Sequence, residues 1–317
     1  MNVLANDGVS KNCVLKLEEN GFKVIHDKVE QEELADYINA ESIEVLLVRS
    51  ATKVRKELID NCPNLKFVGR GGVGMDNIDV EYAKSKGVQV TNTPAASSIS
   101  VAEIVFAHLF SAARSLFKSN RSMPLEGDSK FKQLKKDYAK GIELRGKTIG
   151  IIGFGRIGQE VAKIGYGCGM NIIFCDNFLS EAKIKITFSD GQSICFTPLS
   201  VSLDELLGKS DYITLHVPSQ KDYLLDEKEF IKMKDGVGII NAARGGVLNE
   251  ESLIKFINSG KIKFAGLDTF ENEPNPSIKT LMNSKLSLTP HIGAATSEAQ
   301  ERIGLELANQ IISLVNN

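Results

Sequence analysis

The stretch KTIGIIGFGRIGQEVAKIG, residues 147–165, decides the fold. It opens on an apolar, β-branched run and turns through Gly153, Gly155 and Gly158 in GxGxxG spacing. It then continues at helical period. The glycine pattern alone is weak, and a glycine-rich turn with no ligand is its bland reading. Between a strand and a helix it reads as a phosphate cradle. Gly153 allows the tight turn, Gly155 lets the backbone approach a pyrophosphate, and Gly158 allows close helix packing. The helix start adds unpaired N–H groups and the positive end of a dipole. The next strand, NIIFCD (171–176), ends in Asp176, placed to accept hydrogen bonds from a ribose diol. An acid there repels a 2′-phosphate, and Asn177 rather than an arginine follows it. NAD is therefore expected in preference to NADP.

Working outward, YITLHVP (212–218), GVGIIN (236–241), FAGLDTF (264–270) and LSLTP (286–290) read as further strands of the same sheet, spaced by helices. The N-terminal part repeats the rhythm. VLAN (3–6), EVLLVRS (44–50), LKFVG (65–69) and VQVTN (88–92) read as strands, with amphipathic helices over 10–20, 30–40, 53–62 and 79–86. Such alternation implies crossover helices on parallel sheets, so the fold class is α/β with two parallel modules. SVAEIVFAHLFSAARSLFKSNR (100–121) reads as one buried connecting helix. KITFSDGQSICFT, within 184–197, reads as an inserted β-hairpin on the surface, turning at Asp190-Gly191. The basic stretch KFKQLKKDYAK (130–140) reads as a solvated arm.

The 317 residues suffice for two domains of ordinary size. Hydrophobic residues at 42%, charged residues at 25% and a net charge of −2 give a globular composition with no call for nucleic acid or an anionic membrane. No apolar run reaches the roughly 18 residues of a membrane span. The start, MNVLANDGVSKN, places Asp7 where a signal peptide would still be hydrophobic, so a cytoplasmic protein is expected. The cysteines at 13, 62, 168, 175 and 195 are scattered with no CxxC pair. They read as reduced thiols, and no metal site is expected.

In VGIINAARGG (237–246) a buried strand delivers a permanent cation, Arg244, to the sheet edge, followed by two glycines. Just past later strands come Glu273 in FENEP (270–274) and His291 in LTPHIGAAT (288–296). Ligands of open α/β sheets sit at that edge. Each residue alone has a bland reading: a loop cation, a surface acid, a capped turn. Together they suit oxidation of a 2-hydroxy acid by hydride transfer. Arg244 can grip the carboxylate bidentately. His291 can take the hydroxyl proton and return it in reduction. Glu273 would orient the imidazole and raise its pKa toward the working pH. The glycines would let the Arg244 loop close on its ligands. Of the other histidines, His26 reads as exposed and His108 as a core or interface residue. His216 is open between packing and the adenine side of a cofactor.

At this point the sequence resembles the D-2-hydroxyacid dehydrogenase family along essentially its whole length. The residues that carry this are GFGRIG with Asp176, NAARGGVLNE, LDTFENEP and PHIGAAT, in the family's order. VRSATKV (48–54), VGRGGVGMDNID (68–79) and TNTPAASSISVAE (91–103) are most similar to its phosphoglycerate dehydrogenase branch. The resemblance implies a Rossmann-type cofactor domain, 99–289, inserted into a flavodoxin-like substrate domain, 1–98 with 290–317, the active site lying between them. The family's catalytic triad falls on Arg244, Glu273 and His291. Its cofactor contacts fall on Gly153, Gly155, Arg156, Ile157, Gly158, Asp176, Val217, Ala242, Asp268, His291 and Gly293. Substrate contacts fall on Arg49, Arg70, Arg244 and the loop Gly72-Val73-Gly74. The implied partner is a small phosphorylated 2-hydroxy acid, and a homodimer is expected.

The chain departs from many phosphoglycerate dehydrogenases in ending at 317, so serine control through a C-terminal regulatory domain is not expected. The 184–197 insertion has no counterpart role. Lys135, in the basic stretch, is a candidate cation for a neighbouring subunit's substrate phosphate. The resemblance also leaves open another 2-hydroxy acid, such as hydroxypyruvate, glyoxylate, glycerate or lactate, and a NAD-sensing corepressor. Formate dehydrogenases, also related, carry Gln where this chain has Glu273.

Overall fold

The computed structural model describes residues 1–316. It divides into two compact units, Met1–Ser100 with Ala294–Asn317, and Val101–Gly293. The sequence reading drew the boundaries at 98/99 and 289/290. His291 and Gly293 belong instead with the larger unit, because the buried Asp268 carboxylate accepts the N–H groups of Ile292 and Gly293.

In the first unit β1 (Asn2–Ala5), β2 (Lys23–Ile25), β3 (Ile43–Val48), β4 (Phe67–Arg70) and β5 (Gln89–Asn92) form a parallel sheet in the order β2-β1-β3-β4-β5. That is the flavodoxin-like order. Side chains alternate between its faces. Leu4, Leu46, Val48 and Val68 pack with α2 (Leu34–Ala40), α3 (Lys56–Asn61) and α4 (Val80–Ser85). Val3, Ala5, Val45 and Leu47 pack with α1 (Lys11–Glu19) and the C-terminal helix. The short, partly exposed β2 carries too few residues to show a period, and the sequence reading passed over it.

Two helices lead into the second sheet: α5 (Ser98–Ala113) and α6 (Leu116–Asp137). The single helix expected over 100–121 is therefore corrected to two. Ser115 takes φ +53°, and the pair is bent by 59°. A serine in the left-handed region leaves no Gly or Pro for sequence reasoning to find. Residues 130–137 of the basic stretch form the last turns of α6, and 138–140 follow it; all are exposed apart from Leu134 and Tyr138.

The larger sheet holds β6 (Thr148–Ile152) and β7 (Asn171–Cys175), joined by α7 (Arg156–Gly167). The pair β8 (Ile184–Thr187) and β9 (Ser193–Phe196) is the expected antiparallel hairpin. It is more than decoration, since Phe196 stacks on Tyr166 of α7 with centroids 4.1 Å apart. A two-residue β10 (Leu199–Ser200), α8 (Leu203–Lys209), β11 (Tyr212–Leu215), α9 (Glu227–Lys232) and β12 (Val237–Asn241) follow. The unit ends with α10 (Glu250–Ser259), β13 (Ile262–Leu267), α11 (Ile278–Leu281) and β14 (Leu286–Leu288). The order β10-β7-β6-β11-β12-β13-β14 is the Rossmann order with one added strand. The final helix, α12 (Ser297–Asn316), packs on α1 in the first unit. No single helix among the described residues is long and apolar enough to cross a membrane.

Candidate active site

Register places the site. Ile152 pairs with Cys175 and Leu215, Leu215 with Asn241, Asn241 with Leu267, and Leu267 with Leu288. Neighbouring strands thus end level with one another. The segments that follow them, carrying Gly153, Asp176, Val217, Ala242, Arg244, Asp268 and His291, emerge along one edge.

The glycine loop has the shape a dinucleotide needs. Gly153 turns at φ +88°, and a Cβ there would lie 2.4 Å from the His216 carbonyl oxygen. A Cβ on Gly158 would lie 2.3 Å from the Gly153 oxygen, so only glycine lets α7 start this close to the strand end. A Cβ on Gly155 would meet nothing within 4 Å. The space above it is therefore open to a ligand. Arg156 and Ile157 begin the helix behind it. The Asp176 carboxylate accepts from the N–H of Phe154 (2.6 Å), Phe178 (2.8 Å) and Leu179 (3.1 Å), which fastens the glycine loop to the end of β7. Beneath, Phe154 stacks on Phe174 at 4.0 Å. Val217 lies over the turn, its Cγ1 2.9 Å from a Cβ on Gly153. The His216 ring bonds Thr214 Oγ1 through Nε2 at 2.9 Å, its buried Nδ1 has no hydrogen-bond partner among the described residues, and burial pushes the imidazole pKa down to about 3.

Arg244, Glu273 and His291 lie on three loops of the same unit. Asn241, almost fully buried, folds back on its own chain. Its side chain accepts from the Ala243 N–H (3.0 Å) and donates to the Arg244 carbonyl (2.9 Å). Such Asx turns set the direction of the following residues, so Asn241 aims Arg244. The Arg244 Nη1 also donates to the Ala243 carbonyl at 2.7 Å. Gly245 is needed for contact with its own protein. A Cβ there would sit 1.7 Å from the Phe270 carbonyl oxygen, so the Arg244 and Glu273 loops touch backbone to backbone. The expectation that this glycine serves closure on a ligand is corrected accordingly. Gly246, at φ +76°, has open space around it.

Glu273 Oε1 accepts from the Phe270 N–H at 2.9 Å, and Oε2 meets His291 Nδ1 at 2.7 Å. Burial alone would push Glu273 up. The bonds from His291 and Phe270, with the charges of His291 and Arg244, outweigh it and hold the carboxyl below its ordinary range. An ionised Glu273 keeps the proton on Nδ1 and leaves Nε2 free, and the imidazole side chain is 47% exposed. His291 itself takes φ +53°. Its loop is pinned by Asp268, whose carboxylate accepts from Thr289 Oγ1 (2.6 Å) and the N–H groups of Ile292 (2.9 Å) and Gly293 (2.8 Å). Gly293 is required there, as a Cβ would lie 2.9 Å from that carboxylate. His108, also buried, bonds Ser287 and Thr289 and so ties α5 to β14.

The remaining predicted substrate contacts lie in the first unit. Arg49 directly follows β3 and Arg70 ends the neighbouring β4, where Val48 pairs with Arg70. The Arg70 guanidinium folds over its own loop, Nη1 lying 1.7 Å from where a Cβ on Gly72 would be. Gly72, Val73 and Gly74 continue that loop, and Lys135 is exposed in the last turn of α6. Sequence reasoning missed Asn241 as a shaping residue and read Asp268 only as a cofactor contact. An Asn at a strand end directly before a turn was the available signal for the first.

The family profile described as "D-isomer specific 2-hydroxyacid dehydrogenase, NAD binding domain" matches residues 106–293. The chain belongs to this family. It is 42% identical over 98% of its length to the hydroxypyruvate reductase of Thermotoga maritima, covering 96% of that protein. It is 39% identical over 99% of its length to the D-3-phosphoglycerate dehydrogenase of Archaeoglobus fulgidus. It spans only 57% of the latter's length. Among solved structures, a D-lactate dehydrogenase from Aquifex aeolicus, complexed with NAD and lactic acid, matches with a TM-score of 0.75 and 30% identity. That match covers 100% of this chain and 96% of the other. NAD is the family's cofactor, and the bare cradle at Gly155 with Asp176 at the end of the second strand fits it.

Proposed function

We propose that this enzyme interconverts D-3-phosphoglycerate and 3-phosphohydroxypyruvate. Arg244 grips the substrate carboxylate, and His291 Nε2 takes the proton of the C2 hydroxyl and returns it in reduction. Glu273 holds the imidazole in the tautomer that leaves Nε2 free. When bound, NAD accepts the C2 hydride, or NADH returns it. The observation that carries the acid–base assignment is the 2.7 Å contact of His291 Nδ1 with a carboxylate held ionised, on a loop in backbone contact with that of Arg244. Three further features support the family's cofactor assignment: the Asp176 carboxylate, the open space above Gly155, and Val217 over the turn. Arg49 and Arg70 are the candidates for a second anionic group on the substrate.

A second reading has its own support. A relative that this chain matches along 96% of its length is a hydroxypyruvate reductase, whose named substrate lacks the phosphate. NADH oxidation with each keto acid in turn, at matched concentrations, separates the two. A homodimer through the larger unit is proposed on the exposed apolar side chains of α5 and α6, Phe110, Leu116, Leu125 and Phe131. Sedimentation at micromolar concentration tests it.

A further inference from the structure

Two acidic residues outside the triad hold its loops together. Glu250 begins α10, six residues after Arg244, and Glu271 stands two residues before Glu273. Each offers its carboxylate to the other's backbone. The Glu250 N–H donates to Glu271 Oε1 at 2.8 Å, and the Glu271 N–H donates to Glu250 Oε1 at 2.8 Å. Glu250 Oε2 also accepts from the buried Thr280 hydroxyl at 2.9 Å. Glu250 is only 6% exposed, so an unmatched carboxylate there would be costly. The first N–H groups of a helix have no partner within it. Here one is given to a charged acceptor, the stronger kind of hydrogen bond. Glu273, which bonds His291, lies near Glu250, and Tyr223 faces Glu271. Three acids in one small region repel one another, which these bonds must outweigh. Stability alone would be served as well by apolar packing.

We propose that Glu250 and Glu271 form a reciprocal clamp that sets the position of Glu273 against His291. The clamp fixes the backbone at 271, and the contact at Gly245 fixes it at 270. The Phe270 N–H in turn donates to Glu273 Oε1 at 2.9 Å, so the clamped segment carries a donor that holds the Glu273 carboxylate. Both are positioning residues, and the proposal rests on the reading of His291 as the acid–base group.

The test compares Glu250→Ala, Glu271→Ala and the double variant with Glu250→Gln and Glu271→Gln, in the full chain. It has two readouts: the pH profile of NADH-dependent keto-acid reduction, and the downfield proton resonance of His291 Nδ1–H in the absence of substrate. Each alanine variant should lower kcat on the order of 10–100-fold, the scale of a small misplacement at the reacting centre. KM for NADH should hold, the histidine-linked limb should move, and the downfield resonance should be displaced. The double variant should be no worse than either single one, because one clamp is lost in each. Glutamine should recover most of the effect, since its amide oxygen still accepts. Alanine variants with wild-type resonance and profile overturn the proposal. So do equal losses in the alanine and glutamine series, which would point to charge rather than to the bond. Thr280→Val removes one bond to Glu250 and should shift both readouts less, in the same direction. If an alanine variant fails to fold, an unchanged resonance in Thr280→Val overturns the clamp. The catalytic reading fails separately, if His291→Ala retains turnover.

Discussion

His291 stands at φ +53°, where an L residue is disfavoured by roughly 1–2 kcal/mol. Asp268 holds it there by taking the next two N–H groups, and Glu273 takes Nδ1. His291→Ala should therefore cut turnover by roughly 10²–10⁴-fold, the usual contribution of a general acid–base group, with far less effect on NAD affinity. Stopped-flow turnover and a fluorescence titration of NADH separate the two. Glu273→Gln should move the histidine-linked limb of the pH–rate profile to lower pH, because a negative neighbour favours imidazolium. A profile overlaying wild type removes Glu273 from its role. The sign for stability is independent of the assay. A carboxylate held below its ordinary range stabilises the fold above that range and loses the contribution as pH falls through its lowered value. Asp176→Ala should weaken NAD binding and relax discrimination against NADP. The bond to the Phe154 N–H adds a consequence that the sequence did not show: some loss of thermal stability should accompany it. An unchanged NAD-to-NADP preference would exclude Asp176 from the ribose site.

At the scale of the element, the strand–loop–helix at 148–167 separates packing from binding. Gly153 and Gly158 are hemmed in by backbone, whereas Gly155 faces open space at φ −68°. Gly155→Ala should thus leave the melting temperature near that of wild type and weaken NAD at least about tenfold, by filling the approach to the pyrophosphate. Calorimetry and an NAD titration on one sample decide it; unimpaired binding would move the cofactor off this loop. This unit was legible in the sequence because its pattern is local, an apolar run, three spaced glycines and a helical period. Less legible were features fixed from a distance. The break at Ser115 has no breaker residue. β10 is two residues long and exists by pairing with β7. Gly245 looked like a flexible loop residue until the Phe270 carbonyl appeared beside it. Arg244, Glu273 and His291 were readable because each follows a strand. Asn241, Glu250 and Glu271 were not, because their partners are backbone groups that the chain order does not announce.

At the scale of the whole chain, the open matter is the substrate. The family acts on 2-hydroxy acids, so a carboxylate stands beside the carbon that changes oxidation state, and Arg244 is the residue proposed to bind it. Arg49 and Arg70 are two further cations, at the ends of adjacent strands of the first unit. Both are half-buried. The Arg49 N–H donates to Asp7, which the N–H and hydroxyl of Thr52 also bond, and Arg70 lies over Gly72. The backbone of Arg49 is thus held by Asp7, and that of Arg70 by its pairing with Val48 in the sheet. A phosphate on C3, with nearly two charges and several acceptor oxygens, is the group two guanidinium ions suit best. Surface ion pairing is the bland use of the same residues. Purified protein with NADH should then reduce 3-phosphohydroxypyruvate far more efficiently than hydroxypyruvate, pyruvate or glyoxylate. Arg49→Ala or Arg70→Ala should erode that preference by losing activity on the phosphorylated acid, on the order of 10–100-fold, since a charge-assisted contact contributes about 1.5–3 kcal/mol. Activity on hydroxypyruvate should change little in the same variants. Equal kcat/KM for hydroxypyruvate and its phosphate in the wild type would sink the phosphoglycerate assignment in favour of a hydroxypyruvate reductase, and would leave the roles of Arg244, Glu273 and His291 standing.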